Sequence, residues 1–202
     1  MALILNSNNE EKPDNENDDE KKGRNEEQLL FKSRFVMVFG EINDKLAQAT
    51  CKRLLALTQD SDAPITMLIS SPGGHVESGD AIHDMINFVR APVTTVGSGW
   101  VASAGAHIFL APPKERRVCL PNTRFMIHQP AGGTGGQATD IAIQAKEILR
   151  TRERIARVVA RQTGKPFEEV SADMERDYWM NAEEAIAYGI TTRIIQTHQD
   201  LA

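Results

Sequence analysis

The chain has 202 residues and a mass of 22.3 kDa, enough for one domain with a sizeable core. With 41% hydrophobic and 25% charged residues it is neither a wholly disordered chain nor a fibrous one. The net charge of -5 sits in one stretch: Asn8 to Gln28 holds nine acidic and four basic residues, and the remainder is formally neutral, which leaves no basic field for nucleic acid or an anionic membrane surface.

In chain order, the stretch Asn6–Gln28 is rich in Asn, Glu, Asp and Lys and nearly free of apolar residues. It cannot bury enough surface to offset its ordering entropy, so an acidic, disordered arm is expected over residues 1–30, with one folded domain over 31–202. Phe35–Phe39 is a continuous apolar run, as a strand buried on both faces would be. Asp44–Leu57 carries Leu46, Ala47, Thr50, Leu54 and Leu57 near helical spacing. Ile65–Ile69 reads as a second buried strand, ending at the turn signal Ser70-Ser71-Pro72-Gly73-Gly74. Ile82, Met85, Ile86 and Val89 mark a helix. Val93–Val96 reads as a strand and Gly97–Gly99 as a flexible turn. Ala102–Leu110 favours a helix, and Phe125–His128 a strand. A long helix is expected from Gln137 to Gln162, with an apolar stripe through Ile141, Ala145, Ile148, Ile155 and Val159. Its length suggests that part of it leaves the domain to meet a partner subunit. A short helix starts near Pro166. The last helix has Asn181 as N-cap, Glu184 three residues on and Gly189 as stop, and Ile190–Ile195 closes as a strand. Strand–helix alternation of this kind implies an α/β fold with a mostly parallel sheet.

Cys51 and Cys119 lack any CxxC spacing and are expected to be small buried hydrophobes in a reducing cytoplasm. The start MALILNSNNEEK has no positive n-region and no long apolar stretch, so it does not read as a signal peptide. No segment approaches the ~20 apolar residues of a membrane span.

The chemistry concentrates around Gly97-Ser98-Gly99-Trp100-Val101-Ala102-Ser103-Ala104-Gly105-Ala106. Small residues surround one serine at a helix start, so a hydroxyl can stand clear and a substrate backbone can approach. The N–H after the serine can then face a developing oxyanion. The G-x-S-x-G elbow is absent, because Val101 occupies the first glycine position. A tightly packed helix start with a capping serine fits the same pattern. Pro72-Gly73-Gly74 lies at the carboxyl end of a strand, where α/β folds place their sites. His128 ends an apolar strand and can serve as a general base. His83 is expected on a polar helix face, and His75, His107 and His198 are weaker candidates. Asp173, Glu175 and Asp177 are all available as a carboxylate partner, and spacing selects none of them.

Taken together, Ser70–Gly74, Gly99–Ala106, Cys119–Asn122, Met126–Pro130, Gly136–Asp140, Glu147–Leu149 and Met174–Asp177 resemble the proteolytic subunit of the ATP-dependent Clp protease, the ClpP family, over roughly residues 34–196. The resemblance implies a crotonase-like ββα superhelix with a protruding handle helix, here Gln137–Gln162. It implies a serine endopeptidase in which Ser103 is the nucleophile, His128 the general base and Asp177 the third triad member. Gly74 and Ala104 match the oxyanion-hole positions, and Arg176 an arginine that pairs between rings. It further implies a homo-oligomer of two stacked heptameric rings, a tetradecamer, which cleaves unfolded polypeptides fed by an AAA+ unfoldase in the cytoplasm. Neither a metal nor another cofactor is implied for bond cleavage, and neither nucleic acid nor membrane as a partner. The family's axial N-terminal segment is not recognisable in residues 1–33, and Trp100 and Val101 depart from its commonest residues, which marks a divergent member. A crotonase-like acyl-CoA enzyme and an inactive ring subunit are the competing expectations.

Overall fold

The computed structural model describes residues 25–133 and 135–201. The chain divides into two units, Met1–Ser33 and Arg34–Ala202. In the first, residues 25–32 are helical (α1), and Ser33 caps that helix by donating from its Oγ to the Leu29 carbonyl at 2.8 Å. Helix thus enters the last part of the stretch expected to lack structure. The rest of the predicted acidic arm lies outside the described residues.

The second unit is built on a seven-stranded sheet with the order β1-β2-β3-β4-β7, and β5 and β6 branch from β3. The strands are β1 (Phe35–Phe39), β2 (Ile65–Ser71), β3 (Val93–Ala102), β4 (Arg117–Cys119), β5 (Arg124–Ile127), β6 (Tyr178–Met180) and β7 (Arg193–Ile194). All pairings are parallel except β5 with β6. The helices are α2 (Asp44–Asp60), α3 (Val76–Phe88), α4 (Ala104–Phe109), α5 (Ala138–Thr163), α6 (Phe167–Asp173) and α7 (Ala182–Tyr188).

The long periodic segments match their expected positions. Asn43 caps α2 by accepting from the Leu46 N–H, and Asn181 with Glu184 completes a capping box on α7. Three expectations fail. β1 is not buried on both faces: Val36 and Val38 are buried, but Met37 and Phe39 are each 45% exposed. Gly97–Gly99 is not a turn between elements. β3 runs through it, with a bulge opposite Ser70 that shifts the register from Ile69↔Gly97 to Ser71↔Val101. Gly99 takes φ +60 there, which only glycine adopts freely. The closing strand shrinks to Arg193–Ile194, and β4 and β6 were not foreseen. β4 escapes notice because Arg117 lies fully buried in it, its Nη2 donating to the Gln162 carbonyl at 2.7 Å.

The bulge decides where the site forms. Before it, β3 pairs with β4 (Thr95↔Arg117 to Gly97↔Cys119); after it, β3 pairs with β5 (Trp100↔Arg124 to Ala102↔Met126). α4 then follows directly. A Cβ on Gly79 would come within 3.2 Å of Ala104 Cβ, and one on Gly105 within 3.1 Å of Ser71 Cβ. The run of small residues therefore also lets α4 lie close on α3 and β2.

Candidate active site

Ser103 follows Ala102, the last residue of β3, and precedes the first residue of α4. Its backbone has φ 54 and ψ -120, a combination that costs about 1–3 kcal/mol for a residue with a side chain. The neighbours hold it there. Its N–H donates to the Met126 carbonyl at 2.9 Å, and its own carbonyl accepts from His107 N at 3.1 Å. Its hydroxyl makes no capping bond to α4, so the capping-serine alternative does not hold. Instead Ser103 Oγ lies 2.8 Å from His128 Nε2.

His128 is the residue after β5. Its Nδ1 lies 2.9 Å from Asp177 Oδ1. An ionised carboxylate only accepts, so Nδ1 carries the proton and Nε2 is left to accept from the serine hydroxyl. Asp177 stands just before β6, which pairs antiparallel with β5 through Ile127↔Tyr178. That pairing brings residues 49 positions apart into contact. Gln129 adds two ties that the sequence did not signal. Its N–H donates to the Met174 carbonyl at 2.6 Å, and its Nε2 to the Glu175 carbonyl at 2.8 Å. Arg152 of α5 binds the Glu175 carboxylate at 2.5 Å. Of the three carboxylates left open by the sequence, Glu175 is thus engaged elsewhere, and Asp173 accepts from the Tyr188 hydroxyl at 2.8 Å. Asp177 is 62% exposed at its side chain, not enclosed in an apolar setting.

Gly73 and Gly74 have φ +99 and +145. A Cβ on Gly73 would fall 2.5 Å from Ser103 Cβ, so the absence of a side chain lets this loop abut the serine. Ile42 flanks the loop on its other side, donating to the Gly73 carbonyl at 2.8 Å and accepting from His75 N–H at 2.8 Å. Ala104 N–H belongs to the first residue of α4, where a helix leaves N–H groups without intrahelical acceptors. Arg176 is exposed.

A recess lined by Val76, Ser103, Ala104, His107, His128, Pro130 and Ile155 opens beside the serine. It adjoins a groove of about 290 Å³ that runs from Gly74, His75 and Glu77 past Gly132 to Gln144 and Glu147 of α5. Behind the recess lies a polar cluster that the sequence did not signal. His107 is buried and stacks on His83, with ring centroids 4.4 Å apart and planes at 11°. His83 is itself buried, not on a polar face as expected. Asp80 Oδ1 lies 2.9 Å from His107 Nε2, and Asp80 takes both arms of Arg154 from α5 at 2.7 Å each. Burial acts to raise the Asp80 pKa, but His107 and Arg154 outweigh it and hold the carboxyl well below the usual range. Burial, reinforced by His107, pushes His83 below the usual histidine range.

Among the described residues, no group of His, Cys, Asp and Glu is arranged to hold a metal ion, and no helix is long and apolar enough to cross a membrane. The model of the Clp protease family matches residues 18–198. The ATP-dependent Clp protease proteolytic subunit 3 of Rhizobium johnstonii is 51% identical over 193 residues, 96% of this chain and 100% of that protein. Subunit 2 of Gluconobacter oxydans is 58% identical over 174 residues, 85% of this chain and 78% of that protein. The solved structure of ClpP1 from Listeria monocytogenes superposes with a TM-score of 0.80 at 50% identity, covering 87% of this chain and 99% of that one. A match this long, in family model, relatives and fold alike, leaves one assignment: the chain belongs to the Clp protease family and has the ClpP fold.

Proposed function

We propose that this member of a peptidase family is a serine endopeptidase working through Ser103, His128 and Asp177. The observation that carries the reading is the unbroken hydroxyl–imidazole–carboxylate chain, 2.8 Å and then 2.9 Å long. Ser103 Oγ attacks a peptide carbonyl carbon while His128 Nε2 takes its proton. Asp177 keeps the imidazole in the tautomer that can accept that proton, and stabilises the imidazolium. The tetrahedral oxyanion is held by the N–H groups of Gly74 and Ala104. Positive φ at Gly74 and the helix-terminal position of Ala104 support those two assignments. His128 then protonates the leaving amine. Water, deprotonated by the same imidazole, releases the acyl group from Ser103.

We read the chain further as one subunit of a homo-oligomeric chamber of two stacked heptameric rings in the cytoplasm, acting on unfolded polypeptides. The exposure of Ile143 and Leu149 on α5 supports a role for that helix in contact with another subunit, and exposed Arg176 is available to bridge rings. The name of the relatives, ATP-dependent proteolytic subunit, supports an AAA+ unfoldase as partner. The test is labelling by a fluorophosphonate together with cleavage of a fluorogenic peptide. Both are expected for the wild type and absent in Ser103→Ala. Labelling that survives that substitution would refute the assignment.

A further inference from the structure

Asp177 has little around it to hold its side chain. That side chain is 62% exposed, and among the described residues its carboxylate meets His128 alone. A carboxylate that orients an imidazole must itself be oriented. What fixes Asp177 must therefore lie in the backbone that carries it. That backbone is tied on both sides. After Asp177, β6 pairs with β5, placing Tyr178 opposite Ile127. Before it runs the turn that joins α6 to β6. Gln129, the residue after His128, reaches this turn twice. Its N–H donates to the Met174 carbonyl at 2.6 Å, and its Nε2 to the Glu175 carbonyl at 2.8 Å.

The contact between His128 and Asp177 is thus enclosed by a frame, with the strand pair at one end and Gln129 at the other. The side-chain bond of Gln129 reaches closest to the carboxylate, two residues before Asp177. A carbonyl oxygen only accepts, so the amide must present its NH2 there. From the opposite direction Arg152 of α5 holds the Glu175 carboxylate at 2.5 Å. The bonds of Gln129 go to the turn, and none goes to Ser103 or to the imidazole.

We propose that Gln129 is a positioning residue of the triad: its side-chain amide holds the Glu175 carbonyl and thereby sets Asp177 on Nδ1 of His128. This rests on the serine reading above. Gln129 acts through Asp177, so its worth in catalysis ends where the carboxylate ends. A role in packing alone carries no such condition.

The test uses the full-length assembled protein, cleavage of a fluorogenic peptide and the rate of fluorophosphonate labelling. Gln129→Met removes the donor at nearly constant volume, and Gln129→Glu turns it into an acceptor facing a carbonyl. Both are expected to lower kcat on the order of tenfold, a fraction of the roughly 10⁴-fold that a missing triad carboxylate costs. KM should stay within twofold, because the interaction counts in the transition state and not in substrate binding. The deciding comparison places Gln129→Met in Asp177→Asn. There the labelling rate should change by less than twofold. An equal loss in both backgrounds overturns the inference, as does a folded Gln129→Met and Gln129→Glu pair with kcat within twofold of the wild type. Labelling of the wild type reports on Ser103 separately. Normal wild-type labelling beside either of those results sinks only the role of Gln129, and absent wild-type labelling removes both.

Discussion

A single methyl group at residue 73 measures how far the site depends on close approach. In Gly73→Ala the new Cβ would lie 2.5 Å from Ser103 Cβ, 3.0 Å from its Oγ and 3.0 Å from the Ala102 carbonyl oxygen. Ordinary contact starts near 3.4 Å, so the loop and the serine must part by about 0.9 Å. The loop has little room to retreat, because Gly73 and His75 are both bonded to Ile42 on its far side. A shift of that size in Ser103 Oγ stretches its 2.8 Å contact with His128 beyond hydrogen-bond range. Misplacing a reacting group by about 1 Å costs on the order of 10²-fold in rate, or roughly 2.7 kcal/mol of barrier. The φ of +99 at this position adds strain to the folded state, about 1–2 kcal/mol for an L-residue, which lowers Tm by several degrees in a domain of this size. Peptide cleavage and fluorophosphonate labelling rates, taken beside a thermal melt, separate the two effects. A folded Gly73→Ala protein that labels and cleaves within threefold of the wild type would refute the reasoning.

Asn181→Ala removes one half of the α7 capping box and should destabilise by about 1 kcal/mol without altering labelling of the folded protein; a chemical-denaturation midpoint checks it. Asp80→Asn tests the cluster behind the recess. The folded-state pKa of Asp80 is depressed, so its stabilising contribution is present above the ordinary carboxylate range and lost as pH falls through and below it. The variant should therefore be less stable than the wild type at pH 7, with the gap narrowing towards pH 3; urea melts at both values decide, and a gap unchanged between them contradicts the ion pair. Cys119 is fully buried and its thiol is pushed up to about 11 by burial, so iodoacetamide at pH 8 should leave it unmodified in the native protein and alkylate it in denaturant, as read by mass spectrometry.

The helices were legible because their signals are local. The stripe of α5, the Asn181 cap and the Gly189 stop all act within a few residues. β3 was misread for the opposite reason. Gly97-Ser98-Gly99 has the composition of a turn, and only the pairing of β3 with two different neighbours makes it a bulged strand. The inner cluster was equally hidden. His83, His107, Asp80 and Arg154 come from three helices, and nothing in their spacing announces that burial will bring them together. At the site, Ser103 and His128 could be nominated from their own surroundings. Asp177 could be set apart from Asp173 and Glu175 only by the family resemblance, and its proximity to His128 depends on the antiparallel β5–β6 pair.

The distance between alcohol and ring is governed by a ladder, not by the chain that joins them. Ala102 is paired with Met126, and Ser103 and His128 follow just past that rung. A slip of one rung displaces one strand against the other by about 3.3 Å, more than a hydrogen bond can span. The exposed bend at Lys114–Arg116, by contrast, has no say in that spacing. Added length is therefore expected to be tolerated in that bend, whereas an insertion between Trp100 and Ala102 or between Arg124 and Met126 should pull the hydroxyl and the imidazole apart.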